Sequence, residues 1–135
     1  MEKQKKVVDA SVIVKWFVQE QFSDKVVGLM DKHAKGEVLL IAPELLFIEV
    51  LNALRYKKVN NSFLSNVNKT LWNAQFKIIP LNDSLLQTAL AISLKEGLTI
   101  YDSVYVAIAE AENCQMITAD KELYKIPNVV PLEKV

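Results

Sequence analysis

The sequence holds one cysteine, Cys114, one histidine, His33, and one arginine, Arg55. A lone cysteine builds no disulfide framework, and one cysteine with one histidine are too few soft ligands for a zinc ribbon or finger. Ser-His or Cys-His catalysis would have to run through His33, which falls beside a Val26/Met30 helical stripe and reads as packing or surface. Cys114 reads as a small buried hydrophobe. Three glycines, Gly28, Gly36 and Gly97, cannot make a phosphate loop or a GxGxxG fingerprint. With one arginine, bidentate recognition of phosphate or guanine is not widespread. Net charge is formally zero, 16 basic against 16 acidic residues, so charge alone gives no case for nucleic acid. Apolar runs such as Val38 to Pro43 are too short to span a bilayer. Met1-Glu2-Lys3-Gln4-Lys5-Lys6 lacks the apolar stretch and small-residue cleavage site of a secretory signal. A single reduced thiol without such a signal sets the expected location as cytoplasmic.

What is present is a globular composition: 135 residues, 51% hydrophobic and 24% charged, enough for one domain over 1–135 with a sizeable core. Short β-branched runs alternate with helical patterns. Lys6-Val7-Val8, Val38 to Ala42, Lys77-Ile78-Ile79, Gln115 to Thr118 and Val129-Val130 are apolar without alternation, as parallel strands covered on both faces are. Between them, Ser23 reads as the cap of a helix carrying Val26, Met30 and Ala34, with Gly36 at C′. Pro43 reads as the first-turn proline of a helix over 44–57. Phe63, Val67, Leu71 and Ala74 mark another helix, Asp83 to Glu96 a third, closed by Gly97, and Tyr101 to Glu112 a fourth. The expected fold is α/β: three layers, with a central parallel sheet of about five strands flanked by helices.

Four acids stand where solvated acids do not. Asp9 follows the first strand, and Asp120 the strand Met116-Ile117-Thr118. Glu49 shares a helix face with Leu45, Leu46, Asn52 and Ala53, where an unpaired carboxylate is costly to bury. Asp102 opens a helix of Val, Tyr, Ile and Ala. Each has a structural explanation: Asp9 and Asp120 as helix caps, Asp102 in a capping box with Thr99, Glu49 in a buried pair with a lysine. Together they carry more. Ligands of an open parallel sheet bind beyond the carboxyl ends of its strands, at the switch point, and helices that follow strands begin at that edge. Carboxylates about 4 Å apart repel by about 4 kcal/mol per pair at an effective dielectric near 20. Such a cluster calls for a cation, and oxygen ligands without His or Cys favour Mg²⁺ or Mn²⁺. Carboxylate-held Mg²⁺ commonly serves phosphate chemistry.

Four segments carrying these acids resemble the PIN-domain nucleases, and specifically the VapC-type toxins of toxin–antitoxin pairs. They are Val8 to Trp16; Ala42 to Leu46 running on to Glu49-Val50-Leu51-Asn52-Ala53-Leu54; Gly97 to Tyr105; and Ile117-Thr118-Ala119-Asp120. Each is weak alone, but their order and spacing fit the family over nearly the whole chain. The resemblance implies a single PIN-like nuclease domain over 1–135 whose acidic pocket binds Mg²⁺ or Mn²⁺ and cleaves RNA endonucleolytically. Asp9, Glu49, Asp102 and Asp120 match the family's four catalytic and metal-holding acids. Ser11 and Thr118 match its small hydroxyl residues, Asn52 a frequent asparagine, and Glu122 an acid some members carry two positions after the fourth. The expected partners are RNA, a small cognate antitoxin and a second copy of the chain, with Trp16, Phe17 and Phe63 as apolar surface for the homodimer. Ser103 replaces a more usual alanine, and the scarcity of arginine is a departure for an RNA enzyme. Setting aside the four site acids leaves 12 against 16 basic residues, a modestly basic rim.

Two other readings compete. One is a PIN fold without catalysis, serving RNA processing or protein interaction. The other is a phosphotransfer receiver, which wants an acid pair after strand one and an aspartate ending strand three, where this chain has Val8-Asp9 and Ile79-Pro80-Leu81-Asn82.

Overall fold

The computed structural model describes residues 4–57 and 59–135. Strands β1 (Gln4–Val8), β2 (Val38–Pro43), β3 (Lys77–Ile79), β4 (Gln115–Thr118) and β5 (Val129–Pro131) form one sheet in the order β3-β2-β1-β4-β5. Every neighbouring pair is parallel. Val7, Val8, Leu40, Ile41 and Ala42 are fully buried, so the central strands β1 and β2 are covered on both faces, whereas the edge strands β3 and β5, read the same way, are only partly buried. Among the described residues six α-helices make the crossovers and flanks: α1 (Ala10–Phe17), α2 (Ser23–Ala34), α3 (Leu45–Arg55), α4 (Asn61–Asn73), α5 (Asp83–Glu96) and α6 (Ile100–Ala111). They pack in two groups. Helix α1 lies against α2 and α3, and α3 against α4; α5 lies against α6, which covers β1, β2 and β4.

The order has one reversal. The chain runs outward from β1 through β2 to β3, then returns to place β4 on the other side of β1. The crevice beyond the carboxyl ends of β1 and β4 is therefore the switch point. A receiver-type sheet has the order 2-1-3-4-5, so this topology rules that reading out. Val8 pairs with Ile117, which sets Asp9 level with Thr118 on the neighbouring strand.

Two local expectations are corrected. Pro43 is not a first-turn residue; it ends β2 in register with Ile79, and the helix begins at Leu45. Ser23 is the first residue of α2 rather than its cap. The capping position is Phe22, left-handed at φ 68°, and the buried Ser23 hydroxyl instead accepts from Glu20 N (2.9 Å) and donates to Val18 O (3.1 Å), pinning the loop between α1 and α2. Gly36 and Gly97 do close α2 and α5, at φ 78° and 69°, where a side chain would be strained. Among the described residues no helix is long and apolar enough to cross a membrane.

Candidate active site

Asp9 is the innermost of the four acids, at 5% exposure. It caps α1, its Oδ1 accepting from Val12 N (3.3 Å). The same oxygen accepts from Ser11 Oγ (2.6 Å), and Oδ2 accepts from Thr118 Oγ1. Both hydroxyls are oriented in turn: Ser11 Oγ accepts from Ala119 N (2.9 Å) and Thr118 Oγ1 from Asp120 N (3.1 Å). With each hydroxyl's lone pair taken by a backbone N–H, its proton is directed at Asp9. Burial pushes the Asp9 carboxyl up to about 6 from an ordinary 3.8, against the lowering pull of its hydrogen bonds, and the Asp102 charge adds to the rise. Asp9 caps α1 while standing beyond the end of β1, so capping does not exclude a role in a site there.

Asp120 stands two residues past β4, half-buried, its Oδ1 accepting from Glu122 N (3.0 Å) as the cap of a short 3₁₀ turn, Lys121–Leu123. Asp102 sits in the first turn of α6, where Thr99 is the cap: Thr99 Oγ1 accepts from Asp102 N (3.0 Å). Its carboxyl is raised first by burial, then by the charges of Asp120 and Glu122. Glu49, one turn into α3, reaches across to α6, where the fully buried Tyr105 hydroxyl donates to its Oε1 (2.7 Å). Glu49 is likewise raised, by burial and by Asp102. The reverse influence keeps Tyr105 protonated, since burial and the charge of Glu49 push its phenol far upward.

The four acids, from the end of β1, α3, α6 and the end of β4, share one field: the charge of Asp102 raises Asp9 and Glu49 and is itself acted on by Asp120. Among the described residues no lysine or arginine pairs with any of them; the ion-paired acids are Glu20 and Glu112, elsewhere. Nor do any three acidic, histidine or cysteine side chains, among the described residues, already close into a cage. The set is a loosely gathered, uncompensated group of hard oxygen donors. Such donors fit Mg²⁺ or Mn²⁺ and not a thiolate- or imidazole-seeking metal.

The supporting residues divide. Ser11 and Thr118 are in the site, orienting Asp9. Glu122 is exposed at its rim, touching Asp120 through its backbone and Asp102 through its charge. Asn52 is not drawn in: it is exposed and lines a groove between α3 and α4 with Ile48, Arg55, Leu64 and Asn68. His33 is far from the acids in role. Its Nδ1 accepts from Leu40 N (3.2 Å), its Nε2 meets Ala74 O (2.8 Å), and its ring stacks on Phe76. It clasps α2, β2 and the end of α4 as a neutral tautomer. Tyr105 is the site residue that pattern reading did not single out. A tyrosine within an otherwise small-residue helical run, Val104 to Ala109, was the available signal.

The PIN domain model matches residues 6–129. This chain belongs to the PIN-domain family. Ribonuclease VapC3 of Pyrobaculum aerophilum is 30% identical over 129 residues, spanning 93% of this chain and 98% of that protein. The crystal structure of PAE2754 from Pyrobaculum aerophilum superposes with a TM-score of 0.71 at 24% identity, over 98% of this chain and 94% of that one. A toxin–antitoxin complex from Klebsiella pneumoniae gives 0.71 at 16% identity, over 94% and 97%. At these identities the two structures speak to the fold, which is the PIN arrangement of a five-stranded parallel sheet flanked by helices.

Proposed function

We propose that this PIN-domain chain is a metal-dependent endoribonuclease, the toxin half of a toxin–antitoxin pair. The carrying observation is the group of four acids at the switch point, three of them raised in pKa and none, among the described residues, balanced by a basic side chain. A fold kept only for assembly would gain stability by neutralising that group. The relative's name, Ribonuclease VapC3, and the toxin–antitoxin complex of the Klebsiella neighbour support the substrate and the partner.

In this reading Asp9, Glu49, Asp102 and Asp120 hold Mg²⁺ or Mn²⁺. When bound, the ion supplies charge neutralisation at phosphorus and lowers the pKa of attacking water. The chain's own residues do the rest. Ser11, Thr118 and Val12 N fix Asp9 in one orientation, so little ordering is left to the moment of reaction. Tyr105 donates to Glu49 Oε1 and so fixes the orientation of the carboxylate, with Oε2 left to face the ion.

Protein partners need apolar surface, and the expected residues do not supply it. Trp16, Phe17 and Phe63 are half-buried and packed on the core. Exposed apolar side chains lie instead on α3 and α4 (Ile48, Trp72), at Tyr56 just after α3, and along α5 (Leu86, Leu90, Leu94), and these faces suit the antitoxin and a second copy. Incubation of a mixed RNA pool with the protein tests the activity. Internal cleavage with Mg²⁺ or Mn²⁺ that stops in excess chelator is expected; an RNA pool left intact under all metals contradicts it.

A further inference from the structure

A groove of about 320 Å³ opens beside the acids, lined by Ala10, Ser11, Val14, Lys15, Glu20, Ala53, Lys57 and Ala119. Its walls are two helical stripes. On α1, Ser11 and Lys15 are four residues apart, about 6 Å along the axis. On α3, Ala53 stands one turn past Glu49 at the same spacing, and Lys57 follows just beyond the helix end at Arg55. Helix α1 packs on α3, so the stripes face one another. At one end stand Ser11, which orients Asp9, and Ala119, whose N–H orients Ser11. At the other stand two ammonium groups. Both lysines share one carboxylate: Lys57 Nζ lies 2.8 Å from Glu20 Oε2, and Lys15 Nζ 3.7 Å from Glu20 Oε1. Two cations on one anion leave a positive charge in excess. Lys15 is held there, its side chain only 15% exposed, at the loop that Ser23 pins.

In a chain of zero net charge with a single arginine, this is where cationic side chains meet the groove that leads from the acids. We propose that Lys15 and Lys57 form a phosphate-binding subsite for the backbone of single-stranded RNA, a short step along the strand from the bond that is cut, with Glu20 as the counter-ion that yields to the RNA phosphate. The inference rests on the ribonuclease reading and deepens it. The two ends divide the work: uncompensated carboxylates collect a metal at the scissile phosphate, and the lysine pair anchors a neighbouring one. Glu20 keeps the ammonium groups together when no RNA is bound and moderates affinity when it is, since it competes with phosphate for the same donors.

The test is steady-state cleavage of a single-stranded RNA oligomer across a range of salt, by wild type, Lys15→Met/Lys57→Gln and Glu20→Gln. Methionine keeps the buried stem of Lys15. Each phosphate contact to single-stranded nucleic acid steepens the salt dependence of log affinity by about 0.7, so the double variant should flatten it by about 1.4. Its KM should rise more than its kcat falls. Glu20→Gln should lower KM, the opposite of what loss of a merely structural ion pair would do. Should the double variant melt below the assay temperature, Lys57→Gln alone, at a side chain 41% exposed, should flatten the dependence by about 0.7. If wild type cleaves but the lysine variants keep its KM and salt slope, the subsite is refuted and the ribonuclease reading stands. If wild type cleaves no RNA under any metal, both fall.

Discussion

Replacing Asp9 by Asn should make the metal-free protein more stable, not less. The carboxyl is buried at 5% exposure and titrates near about 6 in the fold, against an ordinary 3.8 that it regains in the unfolded chain. Below pH 3.8 both states carry the proton, and the raised pKa has no effect on stability. As pH rises toward about 6 the unfolded chain ionises first, so the folded state loses ground; above that the loss is complete. A little over two units, at about 1.4 kcal/mol each, is a penalty of about 3 kcal/mol at neutral pH. Asn removes the charge but has one acceptor oxygen where Asp has two, so one of the Ser11 and Thr118 hydroxyls loses its acceptor, at about 1 kcal/mol. The net gain is about 2 kcal/mol, a rise in Tm of roughly 5–10 °C for a domain of this size. The sign should reverse at about pH 4, where wild-type Asp9 is neutral and keeps its hydrogen bonds. Glu49 and Asp102, also raised, make wild type gain stability in the same direction on acidification. The assay is a series of thermal melts in excess chelator from about pH 8 to about pH 4. An Asn variant that melts below wild type at every pH, or a wild type that loses stability over the upper half of that range, would refute the reasoning.

Tyr105→Phe should lower kcat about tenfold with KM nearly unchanged and cost about 1–2 kcal/mol, because the hydroxyl that positions Glu49 is lost from a fully buried ring; cleavage kinetics and melts report the two effects, and an unaltered kcat would remove Tyr105 from the site. His33→Ala should cost about 2–3 kcal/mol, since both ring nitrogens serve backbone groups of other elements, yet leave kcat unchanged where the protein is folded. A folded His33→Ala protein without activity would show that the one histidine acts in the chemistry.

The sheet was legible because five short apolar runs without alternation have few other uses in a chain of this length, and their order of appearance matches the strands. Boundaries moved where a residue suits two roles. Pro43 fits a first helical turn by its fixed φ, but it also fits a strand end, and pairing beside β3 decides the matter. Ser23 was read as a cap from its type alone; its hydroxyl is used by the loop that brings Glu20 back toward it, which no local pattern reveals. The acids were legible individually: Asp9 and Asp120 from strand ends, Glu49 from an apolar helix face. Their partners were less so. Tyr105 is 56 residues from Glu49, and the lysines of the groove meet at Glu20 only once α1 and α3 are packed. Long-range polar pairing leaves no period in a sequence. Asn52, drawn from the same helix face as Glu49, turned out one step too far round the helix to face the acids.

The most direct test of the metal-nuclease reading is cleavage of one RNA pool by wild type and by Asp9→Asn, Glu49→Gln, Asp102→Asn and Asp120→Asn, each with Mg²⁺ or Mn²⁺ and each with a melt in chelator. Asn caps a helix about as well as Asp, so a purely structural Asp120 would tolerate the change with activity intact. The prediction is that wild type cleaves only with metal and that the four variants lose about 100-fold or more while melting at or above wild type. Full activity in the Asp9 or Asp120 variant, or wild-type cleavage that persists in excess chelator, would contradict it.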